Sequence, residues 1–146
     1  MNSEGTHADR TVTALLSPES ATAFLDRFWN FYDGVIRRIA LDLPRQRSAQ
    51  IGKVDVLARD KKADDAWVVC TLQLLGLQEF VIREGKTSFL VLSDGLKLVW
   101  DSGRVFIDFG TGEDKPTLED IRSAGFYLSG QRVEWSVRPL AADEWS

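Results

Sequence analysis

Few residues in this chain are able to do covalent or acid–base chemistry, and they are widely spaced. His7 is the single histidine and Cys70 the single cysteine among 146 residues. Cys70 lies inside the apolar run Trp67 to Leu75, and His7 in a polar N-terminal stretch. A Ser-His or Cys-His dyad would have to recruit its imidazole from that stretch. A zinc centre of Cys and His would fall short of a tetrahedral ligand set. No stretch has the EF-hand spacing, and Gly110 to Thr117 lacks the spacer and the Gly-Lys-Ser/Thr ending of a phosphate loop. Three carboxylates stand in informative settings. Asp33 follows four aromatics, Asp101 begins a turn, and Asp108 alternates with Ile107 and Phe109. A carboxyl in an apolar pocket acquires a raised pKa and can serve as acid or base. Turn chemistry accounts for Asp33 and Asp101 equally well, and the alternation turns Asp108 towards solvent. The expectation is no catalytic residue, no metal ligand and no cofactor.

Charge is segregated along the chain. Residues 27–62 carry a net charge of +5 and residues 101–146 a net charge of −4, within a total of −4. The basic residues are Arg27, Arg37, Arg38, Arg45, Arg47, Lys53, Arg59, Lys61 and Lys62. No aromatic falls between Leu43 and Ala66 to stack on bases, so nucleic-acid binding is disfavoured. The acidic segment supplies Glu113, Asp114, Glu119 and Asp120. These are the candidate partner-binding residues, because they would steer a basic protein. Their alternative reading is a solvated loop and helix start.

The elements that must hold these residues follow from periodicity. Ser17-Pro18 starts a helix. Ala21, Phe24, Leu25, Phe28 and Tyr32 form its apolar face, and Asp33-Gly34 ends it, with Gly34 suited to a left-handed residue. Residues 35–43 alternate as a strand with the odd positions mostly inward, although a continued helix also satisfies the spacing. Further strands are expected at 51–59, 67–75, 78–84, 87–93, 96–100, 105–109, 125–128 and 132–138. Glu84-Gly85-Lys86, Asp94-Gly95 and Ser102-Gly103 read as hairpin turns. Gly76 allows a bulge or turn, and residues 117–123 read as a short second helix. Trp29, Trp67, Trp100 and Trp135 read mostly as core.

The fold class is therefore α+β: an N-terminal amphipathic helix on a curved, mainly antiparallel meander of about seven or eight strands. Residues 1–12 read as a flexible tail, 13–140 as a single domain and 141–146 as a second tail. The lone cysteine, the missing signal pattern and the lack of a run of about 20 apolar residues point to a cytoplasmic protein with no membrane partner.

The stretch Phe31 to Leu43, "FYDGVIRRIALDL", and the stretch Leu72 to Ile82, "LQLLGLQEFVI", resemble two signatures of small bacterial proteins. These are uncharacterised families and immunity proteins of polymorphic toxin systems that carry an aromatic-His-Asp-small-x-Ile motif. The similarity covers about 30–110. Tyr32 stands where those families place His, which favours a structural role for Phe31, Asp33 and Ile36. The resemblance implies a non-catalytic domain whose partner is another protein, such as a toxin domain. Two alternatives remain at this stage. One is a small-molecule binder with a pocket between helix and sheet; the other is a carboxylate-dependent hydrolase.

Overall fold

The computed structural model describes residues 11–83 and 90–145. A short strand that the pattern does not anticipate, β1 (Thr13–Leu15), precedes helix α1 (Pro18–Arg27). Ser17 caps the helix. Its side chain accepts from the Ser20 amide, and Ser20 Oγ accepts from the Ser17 amide.

The helix stops at Arg27, short of the expected Tyr32. Trp29, Asn30 and Phe31 then take φ of 57°, 55° and 60° and form one left-handed turn. The Phe31 amide donates to Phe28 O at 2.9 Å and the Tyr32 amide to Trp29 O at 3.1 Å. Each such non-glycine residue costs about 1–2 kcal/mol. The turn rotates Phe31 into the core, where it is fully buried beside Phe28, with ring centroids 5.3 Å apart. Tyr32, expected on the buried face, is instead 48% exposed, and Trp29, expected in the core, is 45% exposed. Asp33 is also left-handed, whereas Gly34 opens strand β2 (Gly34–Asp42). Gly34 is required by close approach: a Cβ there would lie 3.0 Å from Phe31 O and 3.1 Å from Leu57 O.

The other elements are β3 (Ile51–Asp60), β4 (Ala66–Val81), β5 (Leu90–Leu92), β6 (Lys97–Asp101), β7 (Arg104–Asp108), α2 (Leu118–Ala124) and β8 (Tyr127–Pro139). The eight strands form one antiparallel sheet in the order β5-β2-β3-β4-β8-β7-β6, with β1 also on β8. In β2 a register shift between Ile36 and Arg38 changes the inward phase. Ile36 points inward before the bulge, and the odd residues Ile39 and Leu41 do so after it. The expected strands 67–75 and 78–84 are one strand, β4, and 125–128 and 132–138 are likewise one strand, β8. The expected hairpin of 78–84 with 87–93 is not formed by the described residues, because β5 pairs with β2. Its turn, Glu84-Gly85-Lys86, lies outside them.

Strands β5 and β6 lie on opposite edges of the sheet, yet only Ser93 to Leu96 separate them. Six strand spacings in a flat sheet would hold the edges about 29 Å apart. The five steps from Leu92 to Lys97 reach at most about 18 Å. The sheet therefore has to curl, and it forms half a barrel. The Asp94-Gly95 turn carries the chain across the seam and is not a hairpin. The left-handed turn of residues 29–31 closes that seam. The Asp33 amide donates to Leu92 O at 2.8 Å, and the Leu96 amide to Asn30 O at 3.3 Å. Gly95, at φ +73°, passes so close that a Cβ would lie 2.1 Å from Asn30 O. The hairpin at Ser102-Gly103 forms as expected, with φ of 52° and 80° that suit a type I′ turn.

Helix α1 lies on the inner face of the curl. Phe24 and Phe28 meet Trp135 of β8 at ring-centroid distances of 4.9 and 5.6 Å, above Val54, Leu72 and Val133. Helix α2, expected near 117–123, packs on the outer face through Ile121 against Phe106 and Tyr127. Thr117 caps it, and Asp120 completes the capping box. Glu79 of β4 ties this helix down. Its carboxylate accepts from Arg122 at 3.2 Å and from the Tyr127 hydroxyl, and Arg104 lies 3.6 Å away. The Arg122 hydrogen bonds hold the Glu79 carboxyl below its usual range, against a smaller opposing effect of burial. Among the described residues, no helix is long and apolar enough to cross a membrane.

Candidate partner surface

The left-handed turn sets two aromatics outward from a rigid base. The Trp29 indole N–H donates to Asp65 Oδ1 at 2.9 Å, and Lys61 Nζ lies 4.3 Å from the Trp29 ring centroid. Lys61 also pairs with Asp26 of α1 at 3.2 Å. Asp65 is held in position by its own left-handed backbone and by donation from its amide to Asp60 O. Tyr32 has Lys97 Nζ 5.8 Å from its ring centroid, and that ammonium donates to Asp94 O. The two aromatics thus stand in fixed orientations with lysines over their faces.

Arg27 and Asp60 anchor this base from below. Arg27 Nε and the terminal Nη2 donate to the two carboxylate oxygens of Asp60 at 2.8 and 2.9 Å, and the Lys62 amide adds a third hydrogen bond. The guanidinium lies 4.9 Å from the Phe28 ring and 5.2 Å from the Trp135 ring. The Arg27 hydrogen bonds pull the Asp60 pKa down, and the same pairing raises that of Arg27.

The acidic candidates divide between two places. Glu113 and Asp114 are exposed on the loop before α2. That loop reaches the seam, since a Cβ on Gly112 would lie 3.0 Å from Asp94 Oδ2. Asp114 lines a groove of about 360 Å³ together with Pro18 and Leu25 of α1 and with Lys97 and Trp100 of β6. Lys97 thus lines the same groove as Asp114 and also lies over the Tyr32 ring. Glu119 and Asp120 stand on α2, on the outer face of the curl, and Asp120 Oδ2 is already engaged by the Thr117 amide at 2.9 Å.

Other residues singled out by the sequence have local partners. Asp108, expected in solvent, is 1% exposed. Its carboxylate accepts from the amides of Gly110 and Thr111 and from Thr111 Oγ1, and so holds the turn after β7. Asp33 is exposed beside the seam, and Asp101 closes the β6–β7 hairpin. The basic segment is spread along β3 and its flanks. Arg47 lies before one end, Lys61 and Lys62 past the other, and a ten-residue strand is about 33 Å long. Among the described residues, no group of three His, Cys, Asp or Glu could hold a metal ion. Cys70 is fully buried, and burial raises its thiol pKa far above the usual range. A soluble disulfide reagent is expected to leave Cys70 unmodified in native protein and to label it only in denaturant; native labelling at the denatured rate would contradict this burial.

Sequence reasoning missed the Trp29–Tyr32 surface because helical spacing put Tyr32 on the buried face and Trp29 was read with the other tryptophans as core. The signal available was Asn30 and Asp33, the residue types most tolerant of left-handed backbone. Comparison with protein-family models, with curated proteins and with solved structures finds no match to this chain.

Proposed function

We propose that this chain is a non-catalytic, cytoplasmic protein-binding domain that meets a basic partner protein through Trp29, Tyr32 and the neighbouring acidic loop. The observation that carries the reading is the strained turn. Three successive non-glycine residues are held left-handed, and two of the aromatics displayed by that segment are about half exposed. Strain of this kind gathers at ligand clamps and recognition sites. Tryptophan and tyrosine are also the side chains that carry most interface energy. Glu113 and Asp114 extend the surface, and Glu119 and Asp120 supply charge that steers from further off. The resemblance to immunity proteins agrees with such a role, and the partner would then be a toxin domain whose active site is covered. The rings of Phe24, Phe28, Phe31 and Trp135 fill the space where α1 meets β8, which leaves the small-molecule alternative only the groove between α1 and β6.

The test uses the product of the adjacent reading frame as the partner, with affinity measured by calorimetry. Trp29→Ala and Tyr32→Ala are each expected to weaken binding about 30-fold, the effect of losing a contact worth about 2 kcal/mol. Glu113→Gln with Asp114→Asn is expected to slow association in low salt. Asp120 is changed only to Asn, which keeps the helix cap. Unaltered affinity in both aromatic variants would overturn the assignment of this surface.

A further inference from the structure

A second feature lies on the other side of the sheet and has no part in the reading above. Gly76 sits within β4 at φ +64°, and a register shift follows between Leu77 and Glu79 opposite Gly130 and Ser129 of β8. The bulge leaves Gln78 without a ladder partner on β8. The ladder is interrupted there, and a cleft of about 800 Å³ opens beside it. Arg47 reaches the cleft from the β2–β3 connection and Arg104 from the start of β7. The type I′ turn at Ser102-Gly103 forms another wall, with Gln131 and Ser48.

Both arginines are held in place. Arg47 Nη2 donates to the Gln78 carbonyl freed by the bulge, at 3.3 Å. Arg104 has its guanidinium carbon 5.0 Å from the Phe106 ring centroid and lies 3.6 Å from Glu79. Arg47 has no carboxylate partner among the described residues. Arg104 shares its single carboxylate with Arg122. No acidic residue lines the cleft. The φ of +64° favours glycine at Gly76, and a Cβ there would push aside the exposed Gln131 side chain, whose Oε1 would lie 2.7 Å away. The walls thus offer two anchored guanidiniums, two serine hydroxyls and the side-chain amides of Gln78 and Gln131, and they hold an excess of positive charge.

We infer that this cleft binds an oxyanion, phosphate or carboxylate, carried by a small molecule up to the size of a mononucleotide. The fork of donors on each guanidinium matches the planar or tetrahedral oxygens of such a group, and the volume falls within the range of small-molecule sites.

The test follows backbone amide shifts of the intact chain during titration with inorganic phosphate, adenosine monophosphate and citrate, with chloride at matched ionic strength as the reference. Saturable shifts confined to Gly76, Gln78, Ser102 and Gly103 are expected with at least one oxyanion and not with chloride. Phosphate and nucleotide against citrate separate the two ligand chemistries. Arg47→Gln and Arg104→Gln are each expected to weaken binding at least about tenfold, the loss of one charge-assisted contact. Glu79→Gln releases Arg104 from its competing carboxylate and is expected to tighten binding several-fold, whereas mere loss of structure would weaken it. Thermal melts confirm that each variant is folded. Shifts that do not saturate, that match chloride, or that persist unchanged in both arginine variants would overturn the assignment.

Discussion

Asp60→Asn is expected to lower the unfolding free energy by about 3 kcal/mol, measured by urea denaturation at neutral pH. The carboxylate is 3% exposed and takes both forks of the Arg27 guanidinium, which itself lies against Phe28 and Trp135. Removing the charge leaves a largely desolvated cation with no counter-ion, and that is the costly half of a broken buried pair. The same pair sets a pH dependence. Asp60 has a lower pKa in the folded chain than in the unfolded one, chiefly through the Arg27 hydrogen bonds. Its contribution is therefore complete above the unfolded value of about 4 and is lost as pH falls through the folded value below it. Native protein should lose stability between about pH 5 and pH 2 more steeply than Asp60→Asn does. Parallel profiles for the two proteins would show that the ion pair does not form.

Phe31→Ala is expected to cost about 4 kcal/mol, and the neighbouring Tyr32→Ala to change stability by no more than about 0.5 kcal/mol. In a chain of this size the first corresponds to a fall in Tm of roughly 12 °C. Phe31 has no exposed surface and packs on Phe24 and Phe28, while Tyr32 is half exposed beside Lys97. Continued helix would give the reverse ranking, since positions 24, 28 and 32 would then share the buried face. Equal losses from the two substitutions would place the left-handed turn in doubt. Partner affinity should follow the opposite order, with Tyr32→Ala the more damaging.

The α+β class, the Ser17 start of the amphipathic helix, a short second helix near 117–123 and the β6–β7 hairpin were legible in the sequence by itself. The helix start and the hairpin rest on interactions among residues close in the chain: Ser17 with Ser20, and Ser102-Gly103 between two alternating runs. The end of the first helix at Arg27 was not legible. The left-handed turn costs energy locally, and it and its flanks are stabilised by partners 59 or more residues away, at Leu92, Leu96 and Trp135. The burial of Asp108 was hidden likewise, since the loop after β7 folds its amides and the Thr111 hydroxyl onto a position that alternation assigns to solvent.

The surfaces divide in the same way. Sequence supplied the acidic residues but not their grouping, and the fold sets Asp114 in one groove with Lys97 while placing Glu119 and Asp120 on the outer face. It supplied Gly76 as a bulge, but not the cleft that the bulge opens between Arg47 and Arg104, which are 57 positions apart. Short-range periodicity and capping report on contacts within one or two turns or strands. Closing the seam of a curled sheet depends on β5 meeting β2 and on residues 93–96 crossing between the sheet edges. Only the tertiary structure decides which aromatics of "FWNFYDG" are core and which face outward, because that choice is made by the far edge of the sheet.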